Sequence, residues 1–150
     1  MAWMRTGVPA AIGALAAVAM FAQGGGPLRA CELEADAAMV RLYARHGWHG
    51  QARAAAEALV ERPGSGGYAR LARAAACYHA GEAEAAVAQY RDLLAEDPAA
   101  PVLLYDLGMA LRLTGRAEEW RDAMRRAEDG SRGMLPGLAA ACRRAVESND

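Results

Sequence analysis

From about residue 31 onward, apolar residues fall at helical spacing. Met39 and Tyr43 stand four apart, as do Leu103, Leu107 and Leu111 in turn, while Tyr90, Leu93 and Leu94 form an i, i+3, i+4 stripe. One such face per segment predicts amphipathic helices. The stretches "ERPGSGG" at 61–67 and "EDPAAP" at 96–101 break the pattern between segments. Carboxylates at Glu82, Glu84, Glu118 and Glu119 open the following stripes, where a helix N-terminus favours negative charge. Pro136 suits the start of a last helix ending near Val146, and Arg143, Arg144 and Glu147 give it a polar outer face.

Composition supports helices alone. Hydrophobic residues make up 54% of the 150, but alanine dominates them, with one Phe and one Ile, Ile12. Alanine is the best helix former and lets helices approach closely, whereas a β-sandwich needs branched and aromatic strands. The chain predicts an all-α fold and one ordinary domain.

The segments repeat. The turn sequences "YARHGWHGQA", "YHAGEAEAA" and "LRLTGRAEEW" place glycines at Gly47, Gly81 and Gly115, each 34 residues from the last. Five residues beyond them stand Ala52, Ala86 and Trp120; nine beyond, Ala56, Tyr90 and Met124. Pro63 and Pro98 lie near the ends of the first two units.

A 34-residue helix–turn–helix period with these signposts resembles the tetratricopeptide repeat family. Its first half is matched best by Leu104, Leu107, Gly108 and Leu111 with turn Gly115, and its second half by Ala86, Tyr90 and Pro98. Arg73 departs from the pattern, as do Asp36 and Val40. Trp120 stands where a small residue is usual, so it is expected to crowd its helix contact. The resemblance implies a right-handed solenoid of helical hairpins, with units at 33–66, 67–100 and 101–134 and a capping helix at 136–146. Three units are about the minimum for a stable stack.

The resemblance also implies a concave groove lined by the first helix of each unit. Alignment places Arg41 and Arg45 there from the first unit, Tyr68, Leu71, Tyr78 and His79 from the second, and Tyr105, Met109 and Arg112 from the third. Tyrosine offers apolar area with a polar tip, and arginine grips a carboxylate bidentately. The expected partner is a protein or peptide segment that is acidic or carboxylate-bearing. Family members that clamp a terminal carboxylate use Lys and Asn in this groove, and this chain has neither there. The alternative is that these side chains coat a solvated face.

Other chemistry finds little footing. All 17 Lys and Arg positions are Arg, and 18 acidic residues leave a net charge of −1, so no basic excess marks a nucleic-acid binder. Without lysine there is no Schiff-base or P-loop chemistry. His46 and His49 flank a turn, and with His79 they are the only candidates for a metal; zinc usually wants three or four ligands. Cys31, Cys77 and Cys142 form no C-x-x-C pair; Cys77 and Cys142 read as small buried hydrophobes too far apart to bridge. No serine nucleophile context, HExxH or glycine-rich phosphate loop occurs. No cofactor and no enzymatic activity are expected; a metal- or thiol-active accessory role is the remote alternative.

Residues 1–30 read differently. Arg5 precedes an uncharged apolar stretch from Val8 to Ala22, followed by small residues. As a helix it would span about 22 Å, short of the ~30 Å bilayer core. That describes a secretory signal peptide, with "AVA" ending at Ala19 and "AQG" ending at Gly24 as cleavage points, then a Gly-rich linker. The expected location is exported, periplasmic or secreted; the alternative is an uncleaved anchor on a subunit of an envelope assembly complex. "LRAC" at 28–31 resembles a lipobox, but Arg29 is charged where the motif wants a small or apolar residue.

Overall fold

A computed structural model describes residues 27–148. Within them lie seven helices and no strand: α1 (Pro27–Arg45), α2 (His49–Val60), α3 (Gly66–His79), α4 (Ala83–Glu96), α5 (Pro101–Leu113), α6 (Ala117–Ser131) and α7 (Pro136–Glu147). The all-α expectation holds. The calls on a signal sequence and its cleavage points fall outside the described residues. α1 begins at Pro27, inside the segment read as linker, so the first helix takes in four residues more than the domain boundary at 31 allowed. Among the described residues, no helix is long and apolar enough to cross a membrane.

The helices pair as hairpins: α1 with α2, α3 with α4, α5 with α6. The three turns inside them are one turn built three times. Gly47, Gly81 and Gly115 have φ of 77°, 82° and 75°, a left-handed conformation that only glycine adopts without a Cβ clash. Each glycine N–H donates to the carbonyl three residues back (Ala44, Tyr78, Arg112), and the next N–H donates to the carbonyl five back (Tyr43, Cys77, Leu111). The residues after the glycines, Trp48, Glu82 and Arg116, share one conformation at φ/ψ of −84°/59°, −82°/60° and −83°/71°. Each then accepts the first bond of its new helix, from Ala52, Ala86 and Trp120. Glu82 therefore precedes α4 rather than lying in its first turn, and its carboxylate pairs with Arg53 at 2.8 Å.

Between hairpins the packing is uneven. α3 rests on both α1 and α2, whereas α5 rests on α4 and barely touches α3. Two apolar clusters follow. One holds Leu33, Val40, Leu59 and Tyr68 among alanines; the other runs from Leu71 and Ala74 through Tyr90, Leu104, Trp120 and Met124 to Cys142. α7 closes the second through Cys142, with Leu138, Ala145 and Val146 packed against it, and turns Arg143, Arg144 and Glu147 outward.

Trp120 corrects an expectation. It occupies the position of Ala52 and Ala86 and is as buried as they are, at 1% exposure, so the larger ring is accommodated within the helix contact. What it gives up is polar: its indole N–H is buried without an acceptor. The nearby α5–α6 contact is close because Gly108 has no side chain; a Cβ there would lie 2.6 Å from Met124 Cε.

Ion pairs tie the hairpins together on the side of the second helices. Arg53 pairs with Glu82, Arg116 with Glu84 at 2.8 Å, and Arg91 with Glu119; within one hairpin, Arg70 of α3 grips Glu96 of α4 with two bonds of 2.5 and 2.7 Å. These are exposed pairs, each contributing about 0–1 kcal/mol.

Candidate functional site

Side chains from four helices converge around one carboxylate that the groove alignment passed over. Asp106, on α5, acts electrostatically on Tyr78 of α3, Tyr90 of α4 and its own neighbour Tyr105, and Arg41 of α1 acts on it. Its carboxyl keeps some contact with solvent, yet protein lies around it on nearly every side. Burial pushes Asp106 up to about 7, against the pull of Arg41. No hydrogen bond or ion pair holds it among the described residues.

The tyrosines respond to the same enclosure. Burial, and then the Asp106 charge, raise Tyr78 and Tyr105 above the usual phenol range and raise Tyr90, the most enclosed, well above it. Arg112 opposes the rise at Tyr78, and Arg144 of α7 opposes it at Tyr105.

The residues expected in the groove divide. Arg41, Tyr78, Tyr105 and Met109 are half-buried, and Arg45, His79 and Arg112 are exposed. Tyr68 and Leu71 are not groove residues: at 2% and 8% exposure they lie in the two cores and offer a partner almost no surface. Tyr68 packs with Leu33, Val40 and Leu59 of the first hairpin, and Leu71 with the cluster that holds Val87, Tyr90 and Leu104. Arg45 and His49 bear on His79, whose imidazole is lowered first by burial and then by both of them. His79 also meets the Tyr78 ring edge-on, with centroids 5.0 Å apart.

Asp106 had a visible signal. It is the one charge in "PVLLYDLGMAL", and a lone acid in an apolar helix is an informative buried polar group. Stripe-counting favoured its neighbours Tyr105 and Met109.

Arginine pairing is uneven. Arg41, Arg45 and Arg112 have no ion-pair partner among the described residues, in contrast to Arg53, Arg62, Arg70, Arg91 and Arg116, which link separate helices. Arg73, Arg125 and Arg144 are also without one.

Two hollows lie elsewhere. A cleft of about 670 Å³ between α2, α3 and α4 is lined by Glu57, Val60, Arg73, Cys77 and Gln89, among others. A second, of about 560 Å³, is lined by Arg91, Leu94, Leu107, Leu111 and Ala123, the residues one period on. A hollow that recurs with the repeat while its chemistry changes follows from the stacking and carries no common function.

The histidines and cysteines gather no site. Among the described residues, no group of three His, Cys, Asp or Glu side chains is placed to hold a metal ion. His46 lies against Trp48 on the exposed turn, with centroids 5.8 Å apart. Cys31, Cys77 and Cys142 are free thiols. Burial raises Cys77, whose Sγ accepts a bond from Gln89 Nε2 at 3.4 Å, and pushes Cys142 up to about 11; neither is poised as a thiolate.

Three hairpins sharing one turn make up most of an all-α chain. Comparison with family models gives no match. Neither the curated proteins nor the solved structures give one.

Proposed function

We propose that this chain is a tetratricopeptide-like solenoid that acts as a protein-interaction adaptor. It holds an extended segment of a partner along the face formed by α1, α3 and α5. The three superimposable turns at a 34-residue spacing support the repeat reading. The observation that carries the function is the contrast among arginines. Arg53, Arg91 and Arg116 are neutralised within the chain, while Arg41, Arg45 and Arg112, set around half-buried tyrosines, have no ion-pair partner among the described residues. Unpaired guanidinium groups beside aromatic surface suit an acidic or carboxylate-bearing segment. An affinity near micromolar, about −8 kcal/mol, is expected for a face of this size. The export reading of residues 1–30 places this work in cell-envelope assembly or secretion, and no enzymatic step is proposed.

A photo-crosslinker at position 78, with mass spectrometry of the captured chains, tests the face. Capture of a discrete partner segment, lost when Arg41, Arg45 and Arg112 are all changed to Ala, supports the reading. Capture that is unchanged in that triple variant overturns it. The mass of the mature N-terminus tests the export step: a start beyond residue 19 is expected, and a start at Met1 favours the anchored alternative.

A further inference from the structure

The stack is finished differently at its two ends. At the C-terminal end α7 covers the second core and turns charges outward. At the N-terminal end α1 carries apolar stripes on two opposite sides. Leu33, Ala37, Val40 and Ala44 face the first core. Cys31, Ala35, Ala38, Met39 and Leu42 follow one another at helical spacing on the other side, and all are exposed. Met39 and Leu42 each keep 45% of their surface in water. Two opposed apolar stripes suit a helix held between layers.

The repeat shows what kind of layer is meant. One period on from Ala35, Ala38 and Leu42 stand Ala69, Ala72 and Ala76 of α3. Those three pack into the core that the preceding hairpin builds. The outer stripe of α1 is thus the side on which α3 accepts helices. On the export reading, the mature chain has no helix of its own to place there. A cut after Ala19 or Gly24 leaves no more than Met20–Gly26 ahead of α1, too few residues to turn back along a stripe of about 17 Å.

A second copy of the chain supplies one. The charges of α1 are ordered along its length: Glu32, Glu34 and Asp36 precede Arg41 and Arg45. Two α1 helices laid antiparallel across a two-fold axis bring the acids of one copy to the arginines of the other. Laid parallel, they bring like charges together. An axis between Ala38 and Met39 also sets Leu42 on Ala35 of the second copy and Met39 on its Ala38, large against small.

We propose that the mature chain forms a symmetric dimer through the outer faces of two antiparallel α1 helices. One stripe is smaller than the ~800 Å² per partner of a standard interface, so the dimer is weak and dissociates on dilution. The inference goes beyond the segment-binding reading and rests on the export reading for the length of the mature chain. Its test uses no partner segment, so its failure leaves the binding face untouched.

The full-length chain is expressed, and the form that the cell leaves is purified. Its mass is followed by analytical ultracentrifugation from low micromolar to near-millimolar concentration, under reducing conditions so that Cys31 cannot crosslink. A reversible monomer–dimer equilibrium is expected. Leu42→Glu and Ala35→Arg should each weaken it at least tenfold. The double variant sets opposite charges against each other across the axis and should associate more tightly than either single variant. Circular dichroism checks folding, and Met39→Lys replaces Leu42→Glu if that variant does not fold. A wild type that stays monomeric throughout overturns the inference, and so does a Leu42→Glu dimer as tight as wild type. A double variant no tighter than the single ones overturns it as well, because parallel helices would set like charges together.

Discussion

Gly108 of α5 and Met124 of α6 are fitted to each other. A Cβ on residue 108 would lie 2.6 Å from Met124 Cε and 3.5 Å from its Cγ and Sδ. One period earlier the equivalent positions hold Ala74 and Tyr90, and two periods earlier Val40 and Ala56, all buried. The largest first-helix residue, Val40, meets the smallest second-helix one, Ala56, whereas the small Ala74 and Gly108 meet the large Tyr90 and Met124. The first prediction concerns this contact. Ala at 108 is expected to be nearly neutral, since about 1 kcal/mol of helix propensity offsets the shift of a flexible methionine end. Val at 108 is expected to cost about 2–3 kcal/mol. Adding Met124→Ala should then cost less than the ~2–5 kcal/mol it costs alone. Denaturant melts of the double-mutant cycle check this, and strict additivity contradicts it.

The Tyr68 hydroxyl is buried with no partner, and Tyr68→Phe removes it while keeping the ring. A gain of about 1 kcal/mol is expected, because an unsatisfied buried hydroxyl is a net penalty. Trp120→Phe also removes an orphan donor but leaves a cavity, so it should destabilise the chain. Loss of stability in Tyr68→Phe would mean that the hydroxyl is bonded in solution.

Asp106 predicts an unusual pH dependence. Its folded value of about 7 lies above the ~3.9 of an unfolded aspartate. Between those limits the folded chain binds more protons than the unfolded one, so stability falls as pH rises. The contribution is fully present below about pH 4 and lost as pH passes through about 7. In D106N that slope should vanish. Relative to wild type, the variant should gain about 1–2 kcal/mol between pH 5 and pH 8, the full shift being discounted for solvent contact. Thermal melts at the two pH values decide it; parallel wild-type and variant curves would contradict the buried setting of the carboxylate.

The turn glycines should be interchangeable in energy. Ala at 47, 81 or 115 is expected to cost roughly 1–2 kcal/mol each, because all three positions have positive φ and open space around the missing Cβ. Similar losses at the three positions in urea melts would bear out one shared turn. A loss confined to one would show that the turns differ in solution.

The turns were legible in the sequence because a left-handed position all but names glycine, and the 34-residue spacing lined up three of them. Helices followed from stripes such as Tyr90, Leu93 and Leu94, all of which are buried. The binding face was legible only in part. Tyr68 and Leu71 looked like groove residues by alignment, but Tyr68 packs into the core of the first hairpin and Leu71 into the other core, and that depends on how the helices meet rather than on any local pattern. Asp106 escaped because stripe-counting weighs apolar residues and passes over the single acid among them. Trp120 looked too large for its position, since size is easy to read from one residue and the shape of the space around it is not.

The two cores have nothing in common except α3, which gives Tyr68, Ala69 and Ala72 to one and Leu71 and Ala74 to the other. The core beneath the first hairpin is mostly alanine, so it buries little area per residue, while the second holds the tryptophan and most of the leucines. Loss of order should therefore begin at one end and halt at α3, with amides of α1 and α2 exchanging with deuterium well before those of α5 and α6. Arg41 and Arg45 ride on the half that loosens; Tyr105, Asp106 and Arg112 ride on the half that stays. The proposed face thus straddles two halves of unequal stability.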